Sequence, residues 1–212
     1  MSLPDPKAVR VICLDWGGVL LRICHSWEEA CAAAGLPLPS GPVDDAIRRR
    51  RRALSEDYQL GRLSCADYFE AVSRLSPGYT ASDIERLHDA YLIAEYEGAL
   101  DLSRELASHP RLTGALLSNT NHRHWLRRSE FAAAGTLEHQ VASHLHGLAK
   151  PDPRFYATLE AAVGASGQAI AFFDDLHENI RGARAMDWQA VRIDPTGDPI
   201  AQVRDALRGV LD

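Results

Sequence analysis

No stretch of the 212-residue chain approaches the roughly 18 consecutive apolar residues that a membrane-spanning helix requires. The first ten residues, MSLPDPKAVR, also lack the apolar segment that is typical of a secretory signal peptide. We therefore expect a soluble, cytoplasmic protein that does not bind membranes.

Cysteine is scarce, and the four cysteines are confined to the first third of the chain. None of them has the C-x-x-C spacing of redox and metal motifs, and one lies inside an apolar run. We expect reduced, buried thiols rather than a disulfide framework. These cysteines are Cys13, Cys24, Cys31 and Cys65.

Positive charge is in deficit, since the formal net charge is −6. An acidic balance argues against nucleic acid as a partner, because such binding depends on many cations that displace counterions. Hydrophobic residues make up 46% of the chain, which is enough for a large core. The length fits one domain, or one domain with a substantial insertion.

Three near-continuous apolar runs predict strands that are buried on both faces of a sheet. Weaker runs at 140–144 and 190–193 predict two more strands. The three strong runs, each with the polar residues that end it, are 9–14 before Asp15, 112–117 before Ser118, and 169–173 before Asp174 and Asp175.

Helical patterns alternate with these runs, at 102–107, 154–163 and 179–186. This alternation predicts an α/β fold, a parallel sheet with helices on both faces. Because parallel strands share one carboxyl edge, the polar residues that follow them are expected to converge in a single crevice.

The segment from Cys24 to Leu100 has helical patterns and few strand-like runs. We predict a helical subdomain there, inserted after the first strand. Ser82 is the predicted cap of its last helix, with Glu85 at the capping-box position. The predicted helices cover 26–34, 43–57, 65–73 and 82–96.

Each polar residue at a strand end is weak evidence of a site when taken alone. Asp15 and Ser118 have the residue types of helix caps, and a single lysine such as Lys150 is usually solvated. The adjacent acids Asp174 and Asp175 are more informative, because like charges together need a cation or donors to offset them.

Taken together and in this order, the motifs resemble those of the haloacid dehalogenase-like (HAD) hydrolase superfamily, in its branch of small phosphatases. The resemblance covers nearly the whole chain and implies a HAD-like, Rossmann-type core at 1–22 and 101–212, with a helical cap at 23–100. The motifs are ICLDWGGVL with Asp15, LLSNTN with Ser118, LAKPDP with Lys150, and FFDDLHENIRGA with Asp174 and Asp175.

The resemblance implies a Mg²⁺-dependent phosphatase that acts on a small phosphorylated metabolite through an aspartyl-phosphate on Asp15. It implies that Mg²⁺ is bound by Asp15, Asp175 and the backbone carbonyl of Gly17. Asp174 would lie beside the metal and orient a bound water or Lys150. The protein would act as a monomer or a homodimer.

The resemblance also assigns the phosphate contacts. The Ser118 hydroxyl and the Asn119 backbone N–H would donate to phosphate oxygens, while Lys150 offsets negative charge. Trp16 either shapes the substrate pocket or belongs to the core. Asn179 stands where many relatives have an acid, and it is either a partner of metal-bound water or a helix cap.

Gly17 departs from the family pattern, because many family phosphatases have a second aspartate there as general acid and base. Such groups typically contribute about 10²–10⁴-fold, so the efficiency of this chain as a phosphatase is in doubt. An acidic leaving group, water, or a donor from the cap would have to compensate. The candidate donors are His25, Glu28, Asp57 and Tyr58.

Other chemistry remains open. Phosphonate-cleaving relatives need a cap lysine, and the segment from Cys24 to Leu100 has none. Metal-independent haloacid dehalogenases also lack the second aspartate, but the retained acidic pair favours a cation site. A catalytically weak binding or regulatory protein is the third alternative.

The five consecutive arginines at 48–52 are the sharpest charge run in the chain. We favour a solvated helix paired with nearby acids. The alternative is that one or two of these arginines face a second anionic group on the substrate.

Overall fold

The structure, a computed structural model, describes residues 5–38 and 44–211. Its strands, in chain order, are β1 (Val11–Leu14), β2 (Leu21–Ile23), β3 (Leu92–Glu95), β4 (Thr113–Ser118), β5 (His139–Ala142), β6 (Ile170–Asp174) and β7 (Gln189–Arg192). Its α-helices are α1 (Trp27–Ala34), α2 (Asp45–Gln59), α3 (Cys65–Arg74), α4 (Ala81–Asp89), α5 (Ala99–Ser108), α6 (His122–Leu126), α7 (Ala132–Thr136), α8 (Ser143–His146), α9 (Pro153–Val163), α10 (His177–Ala185) and α11 (Pro199–Ala206).

Five strands form one parallel sheet in the order β5-β4-β1-β6-β7. Alternate residues of β1 enter different hydrophobic clusters, Ile12 and Leu14 on one face, Val11 and Cys13 on the other. Helices cover both clusters, so every β1 side chain is buried, which explains the apolar run. The predicted α/β fold and its five strands are confirmed to within one or two residues.

Helices α1 to α4 form a separate helical segment with a hydrophobic cluster of its own. Strands β2 and β3 pair antiparallel, so that the chain leaves the core and returns to it side by side. The start predicted for α2, at Val43, lies outside the described residues. The first three predicted helices otherwise match α1, α2 and α3, and Ser26 caps α1 through the Glu29 N–H.

The prediction of one helix over 82–96 is wrong. Helix α4 ends at Asp89, and the residues after it pair with β2, a long-range contact that overrides the local helical pattern. The predicted cap is wrong by two residues, because Thr80 and Asp83 form the capping box. Both sites have the same spacing of residue types, which sequence alone does not separate.

The four cysteines are free, as expected, and three of them are buried while Cys65 is half-buried. Within the described residues, no helix has both the length and the apolar character needed to cross a membrane.

Candidate active site

The carboxyl ends of β1, β4 and β6 bring together side chains that are more than 150 residues apart in sequence. Asp15 follows β1, Ser118 ends β4, and Asp174 ends β6. All three are buried, at 8%, 2% and 0% exposure respectively. The polar residues that follow the three predicted strands therefore lie together at one edge of the sheet, as the sequence predicts.

Lys150 joins the three strand ends. Its ammonium lies 2.8 Å from Asp15 Oδ1 and 2.7 Å from Asp174 Oδ2, and donates to the Leu117 carbonyl at 2.8 Å. Burial alone lowers the pKa of Lys150, but the two carboxylates outweigh it and raise the pKa above its ordinary value. Lys150 is therefore a charged residue that links Asp15 and Asp174 through ion pairs.

We expect Lys150→Met to lower the free energy of unfolding by about 3 kcal/mol, because it leaves buried carboxylates without their cation. Urea denaturation of the variant and of the wild type measures this. Lys7→Met is the matched control, because Lys7 is exposed and its loss is expected to change stability by less than about 0.5 kcal/mol. Equal stability of the two variants would contradict this role of Lys150.

Asp174 is held by donors on both carboxylate oxygens. Oδ1 accepts from the Leu176 N–H at 2.8 Å, and Asn179 Nδ2 lies 2.9 Å from Oδ1 and 3.0 Å from Oδ2. Oδ2 also binds Lys150. Asp174 therefore positions the lysine, and the buried Asn179 amide serves this carboxylate rather than a cap.

Asp175 lies against the loop that follows β1. A Cβ at Gly18 would lie 2.7 Å from Asp175 Cγ, and Gly18 has φ +78°. Both the close approach and the backbone conformation therefore require glycine. Burial and the charge of Asp174 raise the pKa of Asp175, while Lys150 and His25 oppose that shift. The Asp175 carboxylate thus packs closely against Gly18, and the nearby positive charges only partly compensate its negative charge.

The carboxylate of Asp15 has one anchored oxygen. Oδ1 accepts from the Trp16 N–H at 2.7 Å and faces Lys150, whereas Oδ2 has no hydrogen bond to any described residue. Burial raises the pKa of Asp15 well above its ordinary value, and the neighbouring aspartates add to the shift despite Lys150. A fixed carboxylate with one free oxygen is suited to nucleophilic attack.

A divalent cation would relieve this excess of negative charge. Asp15, Asp174 and Asp175 each offer a carboxylate oxygen, and these oxygens lie within 4.8 Å of one another. An all-oxygen donor set suits Mg²⁺. Since Asp174 is already occupied by Lys150 and Asn179, Asp15 and Asp175 are the better ligands.

Gly17 is only half-buried and faces the side chain of Ile23, to which a Cβ would come within 3.0 Å. The Trp16 side chain lies in a hydrophobic cluster of the core. Its ring is 3% exposed and packs edge-on against Trp125 and Phe131, so the core interpretation fits and a place in the pocket wall does not. The Trp16 contribution to the site is its backbone N–H.

The loop after β4 is tied to the lysine loop. Asn119 Nδ2 donates to the Lys150 carbonyl at 2.9 Å, and the Lys150 N–H donates to Asn119 Oδ1 at 2.8 Å. Ser143, which the sequence did not single out, accepts from the Thr120 N–H at 2.9 Å. The side chain of Asn119 thus joins the loop after β4 to the loop that carries Lys150. Ser118 is the last residue of β4.

Of the four candidate donors, His25 acts on the site electrostatically, since it opposes the raised pKa of Asp175. Asp57 pairs with Arg62 at 2.9 Å. The Tyr58 hydroxyl donates to Cys65 Sγ at 3.0 Å. Glu28 is exposed on α1.

A stacked histidine pair joins the helical segment to the core, and sequence reasoning missed it. The rings of His88 and His124 are 3.9 Å apart, and His88 Nε2 lies 3.2 Å from Asn121 Oδ1. Burial lowers the pKa of His124 to about 4 and holds that of His88 well below its ordinary value. Both rings are therefore neutral at pH 7.

This pair makes the fold sensitive to acid. Below pH 6.5 the unfolded histidine takes up a proton that folded His124 refuses until about pH 4, so stability falls as pH falls through that window. Between pH 7 and pH 5, we expect the free energy of unfolding of His124→Gln to fall by about 2 kcal/mol less than that of wild type. Urea denaturation at both pH values tests this, with exposed His177→Gln as control. Equal losses in both variants would contradict it.

A cavity of about 290 Å³ lies between the helical segment and residues 119–121 of the loop after β4. We call it the aromatic cavity, because Trp27, Tyr58, Tyr68 and Tyr91 line it. Apart from the motif LLSNTN, no sequence pattern predicts this cavity, because its walls come from helices that are brought together by long-range packing.

The sequence is similar to those of known hydrolases. A model of the haloacid dehalogenase-like hydrolases matches residues 9–187. Over 75 residues, 34% of this chain, the sequence is 35% identical to Phosphatase MT3486 of Mycobacterium tuberculosis (strain CDC 1551 / Oshkosh). The match spans only 35% of that phosphatase.

Solved structures share the fold. The HAD family enzyme BT-2542 from Bacteroides thetaiotaomicron has a TM-score of 0.78 and 18% identity, covering 93% of this chain and 100% of that one. A mutant of it in complex with magnesium and inorganic phosphate has a TM-score of 0.73 and 18% identity, covering 90% and 96%. A HAD-like family hydrolase from Porphyromonas gingivalis has a TM-score of 0.75 and 21% identity, covering 95% and 98%.

Proposed function

Because the chain belongs to the haloacid dehalogenase-like hydrolase family, we propose that it is a Mg²⁺-dependent phosphatase that hydrolyses a small phosphorylated metabolite. The relative named as a phosphatase and the neighbour solved with magnesium and phosphate support this choice of chemistry. The observation that carries it is the cluster of buried Asp15, Lys150 and Asp174 with half-buried Asp175 at one sheet edge.

In the first step, Oδ2 of Asp15 attacks phosphorus and the bond to the leaving oxygen breaks, which gives an aspartyl-phosphate. Lys150 and the Trp16 N–H bind Oδ1 in the structure, which orients the carboxylate and leaves Oδ2 free to attack. In the second step, water attacks phosphorus, phosphate leaves and Asp15 is restored. Dividing the reaction in this way replaces one difficult step with two easier ones.

The other residues bind and neutralise. Ser118 and the Asn119 N–H would donate to phosphate oxygens, and Lys150 offsets their charge. Asp15, Asp175 and the Gly17 carbonyl would hold Mg²⁺, which when bound stabilises negative charge on the phosphoryl group. Gly17 supplies no proton, so the leaving oxygen must take one from water or leave as an anion.

The helical segment would act as the cap over this edge, with boundaries near residues 23 and 100. Strands β2 and β3 anchor it on both sides, and the aromatic cavity lies beneath it. We propose that its movement admits the substrate and excludes bulk water. A cytoplasmic location and a monomeric or homodimeric state remain predictions.

Hydrolysis of p-nitrophenyl phosphate with MgCl₂, and again with EDTA, tests the proposal. We expect turnover that requires the metal. A parallel assay for halide release from 2-chloropropionate without metal separates the dehalogenase alternative. Halide release, or binding of phosphate esters with no turnover of any of them, would contradict the proposed phosphatase.

A further inference from the structure

The aromatic cavity adjoins the catalytic edge. Asn119 and Thr120 line it, directly after Ser118, and Asn119 is hydrogen bonded at two points to Lys150, which binds Asp15. A phosphate ester held at Asp15 would have this space beside it for its leaving group. At about 290 Å³, the cavity is at the small end of the usual range for ligand pockets.

Buried hydrogen-bond donors in this cavity lack acceptors. The Thr120 hydroxyl and Nε of Arg51 have no partner among the described residues, and Thr120 is 5% exposed. Nε1 of Trp27 approaches the Tyr79 hydroxyl without the geometry of a full hydrogen bond. A guanidinium only donates, so an acceptor must come from a bound molecule. Buried donors are rarely left unpaired in native proteins.

Charge in the cavity has one sign. Although the chain has a net charge of −6, no aspartate or glutamate lines the cavity among the described residues, whereas Arg51 and Arg52 do. His88 and His124 line it as neutral rings.

Arg51 differs from the rest of the arginine run. The other four arginines are exposed, as expected of a solvated helix, but Arg51 is half-buried. It donates to the Leu75 carbonyl at 2.8 Å and lies 4.5 Å from the centre of the Trp27 ring. It forms no ion pair with a described residue. A partly buried guanidinium without a carboxylate is unfavourable unless an anion joins it.

We propose that the aromatic cavity receives a carboxylate on the leaving group of the substrate, bound by Arg51 and the Thr120 hydroxyl. A carboxylate is favoured over a second phosphate because Arg52 is exposed, which leaves the half-buried Arg51 to balance one negative charge. The tyrosine rings would pack against the body that links the carboxylate to the phosphate ester. This inference rests on the proposed phosphatase and names its substrate class, a phosphate monoester of a small hydroxy acid.

The test uses paired probes, 4-carboxyphenyl phosphate and its neutral analogue 4-carbamoylphenyl phosphate. We expect wild type to prefer the carboxylate in kcat/KM by at least about tenfold, as charge-assisted hydrogen bonds imply. Arg51→Met should remove the preference through KM, with a loss for the carboxylate ester at least about tenfold larger than the loss for the neutral ester. Arg49→Met, an exposed arginine on the same helix, is the matched control and should behave as wild type.

Thr120→Val keeps the shape of the side chain and removes only the hydroxyl, so it is expected to weaken the preference for the carboxylate ester. It provides the test should Arg51→Met fail to fold. Equal loss for both esters in Arg51→Met, or no preference in wild type, would overturn the carboxylate site. Calorimetry with 4-hydroxybenzoate and 4-hydroxybenzamide separates the two proposals. Binding of the acid that depends on Arg51, without turnover of any ester, would overturn the phosphatase and leave the anion site standing.

Discussion

Replacing Asp15 with asparagine is expected to reduce phosphatase turnover by about 10⁴-fold or more, because an amide oxygen is a poor nucleophile for phosphorus. The change keeps the shape of the side chain and the contacts of Oδ1 with the Trp16 N–H and Lys150. The loss should therefore appear in kcat, with the fold intact. Steady-state kinetics with p-nitrophenyl phosphate in MgCl₂ measures it.

The free energy of unfolding of Asp15→Asn should equal or exceed that of wild type, although its activity is lost. Burial raises the pKa of Asp15, so at neutral pH its ionised form costs the folded state free energy that asparagine does not. That cost fades as pH falls through the raised pKa, and the advantage of the variant over wild type should shrink accordingly. Asp101→Asn, at an exposed position, is the control. A variant that loses activity only because it unfolds would refute this account.

Replacing Gly17 with aspartate is expected to raise kcat by about 10² to 10⁴-fold, because it restores the general acid and base that the family pattern places there. The backbone at Gly17 lies outside the left-handed region, and the nearest obstacle is Ile23 Cδ1, the mobile end of a flexible side chain. Gly17 is half-buried and lies two residues after Asp15. A side chain should therefore fit after a small shift of Ile23.

Gly18→Ala is the matched control for Gly17→Asp. At Gly18 the positive φ and the 2.7 Å approach to Asp175 leave no room for a Cβ, so this variant should lose activity. The gain in Gly17→Asp should be largest for esters with poorly acidic leaving groups, such as alkyl phosphates. Unchanged rates across all esters would mean that another group already supplies the proton.

The sequence was sufficient for the parts of the molecule that obey local rules. The apolar runs that end at Asp15, Ser118 and Asp174 are buried on both faces, and burial of that kind leaves a pattern that can be recognised. The motifs then placed Lys150 and Asp175 at the same edge. The resemblance also predicted Asp175 as a metal ligand and Asp174 as a residue that orients Lys150 or a bound water. The contacts that Asp174 makes with Lys150 and Asn179 required the geometry.

The misses have a common cause, which is long-range packing. Strand β3 forms only because β2 is beside it, and no local pattern encodes that partner. The inward turn of Arg51 depends on where Trp27 and Leu75 lie, so one arginine in a run of five differs from its neighbours. The histidine pair joins α4 to α6 across 36 residues. These contacts define the aromatic cavity, and sequence reasoning did not find it.

The most direct test of the central claim is to trap the covalent intermediate. The protein with MgCl₂ and a phosphate ester is quenched in acid within milliseconds to seconds, and the mass of the peptide that contains Asp15 is measured. The account predicts that this peptide gains one phosphoryl group in wild type and none in Asp15→Asn. Turnover in wild type with no phosphoryl group on this peptide, at any time of quenching, would contradict it.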